Sequence, residues 1–168
     1  MSGSQCYIGA PNGVIICVDN NDAHILRGRL YHSYTKEALS FENAGQMSFI
    51  MEELYDSLNF PHPGTNKRLF AAENKTINRL TERDKIMTDD ELLSKHGDIG
   101  TFIVRVQHRQ NSSWQGRITW MEQDSTLYFR SIWEMIKLIE NAVDTVSHQE
   151  SGDEDTPVWP IEKPAEDK

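Results

Sequence analysis

Two stretches of this chain, residues 14–43 and 102–131, align with each other at a constant offset of 88 residues without a gap. The identical positions suit strand interiors and turn exits. They are Ile15/Ile103, Val18/Val106, Gly28/Gly116, Arg29/Arg117, Leu39/Leu127 and Phe41/Phe129. The sequence therefore predicts that one small unit is used twice. Such a repeat constrains the architecture far more than it constrains the function.

Each unit contains three short runs in which apolar and polar residues alternate, followed by a stripe of apolar residues at helical spacing. Alternation with a period of two indicates β-strands, and the stripe indicates an amphipathic helix. Ser131 stands three residues before Glu134, which is the capping-box spacing at a helix start. Pro61 and Pro63 end the helix of the first unit. Both units therefore read β-β-β-α.

Two β-β-β-α units most simply make an α+β fold, an antiparallel assembly with both helices packed on one face and a pseudo-twofold axis between the units. Pattern alone leaves open whether the strands of the two units join edge to edge or pack as separate halves. The predicted divisions are an N-terminal segment (1–13), the first repeat (14–60), a connector (61–100) with a short helix at 89–95, the second repeat (101–146) and an acidic flexible tail (147–168).

The bulk composition is that of a chain able to bury a core. It has 168 residues, of which 38% are hydrophobic, enough for one domain or two very small ones. No apolar run is long enough to cross a bilayer, and the N-terminus lacks the basic and apolar regions of a signal peptide. We expect a soluble cytoplasmic protein without a membrane partner. Cys6 and Cys17 have no C-x-x-C spacing, so a buried thiol at Cys17 is favoured over a disulfide or redox centre.

The negative charge is concentrated near the C-terminus. The net charge is −9, and residues 144–168 contribute −6 of it through eight acids and two lysines. A segment of this composition cannot bury enough apolar surface to offset its ordering entropy. Trp159 lies in its one apolar island, at 158–161. The island is either a short docking motif for a partner or an incidental aromatic in a solubilising tail.

A set of basic residues is predicted to share one face of the second unit. If Phe102, Val104 and Val106 face the helices, the opposite face carries four arginines and an aromatic ring. Guanidinium groups bind phosphate or carboxylate bidentately, and tyrosine offers a stacking plane. The face could bind a polyanion or an acidic partner, could be solvated, or could receive the protein's own tail. Ile15 and Ile103 would lie on the same side, which suggests that part of it is covered. The candidate partner-binding residues are Arg105, Arg109, Arg117, Tyr128, Arg130 and Trp159.

Catalytic and metal-binding motifs are absent from the sequence. There is no nucleophile elbow, Walker motif or dinucleotide-binding glycine pattern. The run at 19–22 resembles the start of a calcium loop, but Leu30 stands where the terminal glutamate should be, so we predict a hairpin turn. The six histidines lack ligand spacing, and we interpret Glu52 and Glu53 as helix-surface acids. We therefore expect no enzyme, no cofactor and no metal.

Three stretches carry a resemblance to a known group of proteins. TFIVRVQHRQNSSWQGRITW at 101–120, GRLYHSY at 28–34 and MEELYDSLNFP at 51–61 resemble a widespread group of small uncharacterised proteins from anaerobic gut Gram-positive bacteria. Members tend to be accessory proteins, in some cases associated with mobile elements, and no activity is carried over from them. The resemblance implies a regulatory or host-interference role, including the anti-CRISPR class.

Two functional hypotheses follow. The first is a non-enzymatic regulatory protein that occupies a protein partner, such as a nucleic-acid-processing enzyme, and inhibits it by presenting carboxylates to a basic channel. The second is a single-stranded RNA or nucleotide-binding module built on the arginine-rich face. Overall acidity argues against tight nonspecific binding of duplex nucleic acid, because that requires several neutralised phosphates.

Overall fold

The computed structural model describes residues 8, 11–65, 68–71 and 84–151. Short 3-10 turns at 22–24 and 121–123 accompany the main elements. In chain order, the strands and helices of these residues are β1 (Val14–Asn20), β2 (Arg27–His32), β3 (Leu39–Phe41), α1 (Ala44–Leu58), α2 (Asp89–Leu93), β4 (Gly100–His108), β5 (Gln115–Trp120), β6 (Ser125–Phe129) and α3 (Ile132–Ser151).

The strands form one six-stranded antiparallel sheet in the order β3-β2-β1-β4-β5-β6. This is the predicted α+β class. The sequence pattern left the junction of the two units open, and the structure places β1 against β4 at the centre of the sheet. Ile15 lies opposite Ile103, and the pairs on either side, Val14 with Val104 and Ile16 with Phe102, run symmetrically outwards. The units therefore join edge to edge.

The registers of the two halves correspond at the offset of 88 residues. Val18 lies opposite Gly28 in one half, and Val106 lies opposite Gly116 in the other. A bulge follows each of these pairs, between Val18 and Asn20 and between Val106 and His108. Each bulge adds a residue to the inner strand of its half and so reverses the face to which later side chains point.

Both long helices pack on one face of the sheet, which we call the helix face. α1 contacts β3, and α3 contacts β4, β5 and β6. The apolar side chains of this core come from even-numbered positions of β1, β2, β4 and β5, such as Ile16 and Val104, and from Phe41 of β3 and Phe129 of β6, as the alternation predicted. Tyr55 is fully buried there, although the helical stripe did not single it out, while Leu127 of β6 is 52% exposed.

The opposite face is covered over the first half of the sheet and over the start of β4. A second core of buried residues lies here, in which Ile15 and Ile103 pack against Ile8, Met87 and, from α2, Leu92. The predicted connector helix is present as α2 and has the full capping box, with Thr88 accepting from Glu91 N and Glu91 accepting from Thr88 N. The connector thus shields part of this face, as the position of Ile15 and Ile103 suggested.

The glycines opposite the bulged strands provide a test of the register. A Cβ on Gly116 would collide with the carbonyl oxygen of Arg105 on the neighbouring strand. We expect Gly116→Ala to lower the free energy of unfolding by about 2–4 kcal/mol, because the backbone must move to relieve the overlap. Urea denaturation measures this loss.

Gly64→Ala is the matched control. Its Cβ would meet only the flexible side chain of Gln110 at 3.3 Å and the carbonyl of Arg109 at 3.7 Å, so the change should stay within about 0.5 kcal/mol. Equal stability of the Gly116→Ala variant and the wild type would show that β4 and β5 are paired differently.

Candidate partner-binding surface

Arg105, Arg117 and Tyr128 form a row across three neighbouring strands. Arg105 of β4 lies directly opposite Arg117 of β5, and Arg117 lies directly opposite Tyr128 of β6. Ile103, two residues before Arg105, belongs to the core on the opposite face. Because side chains two positions apart on a strand point the same way, the three residues share the face opposite the helices. We call them the arginine row.

The row is accessible from solvent at its outer end. Tyr128 is 69% exposed, and the two arginines are half-buried. The guanidinium carbon of Arg117 lies 6.0 Å from the centre of the Tyr128 ring, a distance at which a cation and an aromatic face attract each other. Arg117 Nε is buried and has no hydrogen-bond partner among the described residues.

Arg105 and Arg117 carry like charges and lie directly opposite each other on neighbouring strands. Such a cross-strand pair is destabilising by itself. An anion placed between or beside the guanidinium groups removes that repulsion and accepts charge-assisted hydrogen bonds. The side-chain chemistry of the row is suited to a carboxylate or a phosphate group.

The first half shows how the chain satisfies the corresponding arginine. Arg29 stands 88 residues before Arg117 and donates from Nε and Nη2 to the two carboxylate oxygens of Asp19, at 2.8 and 3.0 Å. It also donates to the carbonyl of His96 at 2.9 Å. The bidentate bond from Arg29 holds the pKa of Asp19 below its ordinary value of 3.8. Arg29 is thus neutralised by its own chain.

Arg109 does not lie in the row, and the prediction that four arginines share one face is wrong for this residue. The bulge after Val106 reverses the side-chain direction, so Arg109 is buried under α1. Its Nε donates to the carbonyl of Pro61 at 2.7 Å, and its Nη1 donates to Asp56 at 2.7 Å. The side chain is 4% exposed. Arg109 holds the end of α1 to β4.

Arg130 also lies apart from the row. Arg130 follows the end of β6, is 87% exposed and pairs with Glu134 one helical turn ahead at 3.2 Å. Trp159 lies outside the described residues. The structure therefore brings together Arg105, Arg117 and Tyr128 out of the set that the sequence proposed.

A cleft of about 350 Å³ on the helix side was not found from the sequence. Trp114 donates its Nε1 to Glu52 at 2.8 Å, and Glu52 lies 3.6 Å from Arg109 Nη1. Phe49 and Leu69 line the rim and are exposed. The interpretation of Glu52 as a plain helix-surface acid is wrong, because it joins two buried side chains. Only the three-dimensional proximity of α1 and the β4–β5 hairpin reveals this cluster.

The run at 19–22 forms a tight turn in which Asn20 accepts from Asp22 N at 2.8 Å, as predicted for a hairpin. In the described part of the chain, no group of three or more metal-ligating side chains comes together. None of the helices found there combines the length and apolar composition needed to cross a bilayer.

The buried Arg109 should be structural, whereas Arg117 should not. We expect Arg109→Met to lower the free energy of unfolding by about 2–4 kcal/mol, because Asp56 and the Pro61 carbonyl lose a charged donor. Arg117→Met removes a like-charge contact and should change stability by no more than about 0.5 kcal/mol. Urea denaturation of both variants makes the comparison. Equal losses would show that Arg117 also has a structural partner.

Cys17 should be chemically inert in the folded protein. Burial raises the pKa of its thiol to about 12, so almost no thiolate is present near neutral pH. In a Cys6→Ser variant, in which Cys17 is the only thiol, a maleimide at pH 8 should label the protein in urea and leave it unlabelled when folded. Rapid labelling of the folded protein would contradict the burial of β1.

Comparison with protein-family models, with curated protein sequences and with solved structures gives no match. The resemblance to small accessory proteins therefore stays a prediction from the sequence.

Proposed function

We propose that the protein is a non-enzymatic binding protein that holds a macromolecular partner through acidic groups bound at the arginine row. The observation that carries this proposal is the difference between Arg29 and Arg117. Arg29 has Asp19 as a bidentate acceptor. At the place of Asp19 the second half has Gln107, an exposed residue that cannot supply a negative charge. A partner's carboxylate would fill the position that Asp19 fills in the first half.

The two halves of the sheet have matching strand registers and matching bulges. We infer that a pseudo-twofold axis passes through the Ile15–Ile103 pair and relates the two β-β-β-α units. The matched registers and the two matched bulges support this relation. Under the axis, Cys17 corresponds to Arg105, so the second half has one arginine more and one carboxylate less than the first. The binding site is therefore asymmetric and belongs to the second half.

A protein partner fits this site better than a nucleic acid does. The row contains two arginines and one aromatic ring, whereas binding along a nucleic-acid backbone uses a track of several cations. The net charge of −9 also repels a polyphosphate. A local cluster of carboxylates on a protein surface needs only the two guanidinium groups of the row.

A role as an inhibitor extends the same proposal. The resemblance to accessory proteins and the acidic tail favour a partner from nucleic-acid-handling machinery, whose basic channel would accept the carboxylates of residues 144–168. In that arrangement, the arginine row binds an acidic element beside the channel and the tail enters it.

The charge of the row can be tested with a peptide of known composition. Arg117→Gln and Arg105→Gln should each weaken binding of a glutamate-rich peptide about tenfold, which is the loss of one charge-assisted contact. Titration followed by NMR gives the affinities. Arg130→Gln is the matched control, because it removes the same charge from an exposed arginine outside the row, and it should bind the peptide as the wild type does.

Two results would count against the proposal. Equal weakening by Arg130→Gln would show that the peptide senses only overall charge. Tighter binding of a single-stranded oligonucleotide than of the peptide, lost in the Arg105 and Arg117 variants, would favour the RNA-binding alternative instead.

A further inference from the structure

Within the part of the chain that the structure describes, β6 is an edge strand without the features that normally guard such an edge. Among the described residues it pairs with β5 alone. Its five residues, Ser125–Phe129, include no charge and no proline, and the first four are exposed. Edge strands are usually protected by charged side chains, proline, a bulge or a covering segment. An uncharged, exposed strand of threonine and aromatic residues is instead suited to pair with another strand.

The other edge of the sheet differs in both length and surroundings. β3 has three residues and is followed by Glu42, which pairs with Arg27 at 3.4 Å. Leu39 of β3 shares a cavity with Asp84 and Ile86 of the connector. The connector thus flanks β3, and the described part of the chain provides no equivalent for β6.

The arginine row continues to this edge. A strand added beside β6 would lie about 4.8 Å further out, and therefore about 10 Å from the backbone of β5. Its residue opposite Tyr128 would share the face of Arg117. Because the Arg117 guanidinium lies 6.0 Å from the Tyr128 ring, an acidic side chain at that position is within the combined reach of the two side chains. The next residue of the added strand would point to the helix face beside Leu127, which is half-exposed and apolar.

We propose that the partner binds by strand addition, as an extended segment with alternating acidic and apolar residues that pairs with β6. The acidic residues face Tyr128 and Arg117, and the apolar residues face Leu127. Backbone hydrogen bonds to β6 supply the affinity, and the alternation supplies the specificity. This inference rests on the proposed function and names the kind of segment that occupies the same site.

The probe is a short capped peptide that alternates glutamate and valine. Two control peptides have related composition: an isomer with its glutamates contiguous, and an N-methylated form that keeps every side chain but loses the backbone N–H donors. We expect the alternating peptide to slow hydrogen exchange of the outward amides of residues 125–129 at least about tenfold. Both controls should bind about tenfold more weakly and leave these amides unprotected.

Variants separate this inference from the proposed function. If the N-methylated peptide binds equally well and the β6 amides exchange freely, while Arg117→Gln still weakens binding, strand addition is wrong and the acidic-group site stands. If the amides are protected but Arg117→Gln has no effect, the edge pairs without using the row, and the proposed function is wrong. Absence of binding by every peptide overturns both.

The same experiment also detects whether the β6 edge is occupied by a second copy of the chain. Protection of residues 125–129 that rises with protein concentration in the absence of peptide would show that β6 pairs with β6 of another molecule. That result would overturn the acidic segment as the partner. Exchange that is independent of protein concentration is the expected outcome.

Discussion

The antiparallel pairing of β1 with β4 is the contact on which the rest of the molecule depends. It joins two small units, each with three strands and one helix, into a single sheet through buried pairs centred on Ile15 and Ile103. The central pairing gives both helices a common core on one side and gives the connector a surface to cover on the other.

The two bulges decide which side chains belong to which face. A bulge shifts the alternation by one residue, so Arg109, which follows the bulge after Val106, points away from the side predicted by simple counting. Arg109 consequently joins the helix-side core, where Asp56 and the Pro61 carbonyl satisfy it. The bulge of the second half thus makes Arg109 a structural residue.

The two halves differ in a few side chains on the face opposite the helices and in whether the connector covers them. Cys17 and Asp19 stand where Arg105 and Gln107 stand 88 residues later. The connector shields Cys17 and Asp19, whereas the arginine row, which contains Arg105, reaches the sheet edge at β6.

The sequence by itself determined the strand and helix order, the helix face of each strand, the capped start of α2 and the basic character of the second unit. These follow from periodicity and local hydrogen-bonding chemistry, which act over a few residues. Tertiary structure decided how the units join, which half of the face is covered, and that Arg109, Glu52 and Trp114 form one buried cluster. Those outcomes depend on contacts between residues distant in the chain and on a bulge whose position alternation does not encode, so no local pattern contained them.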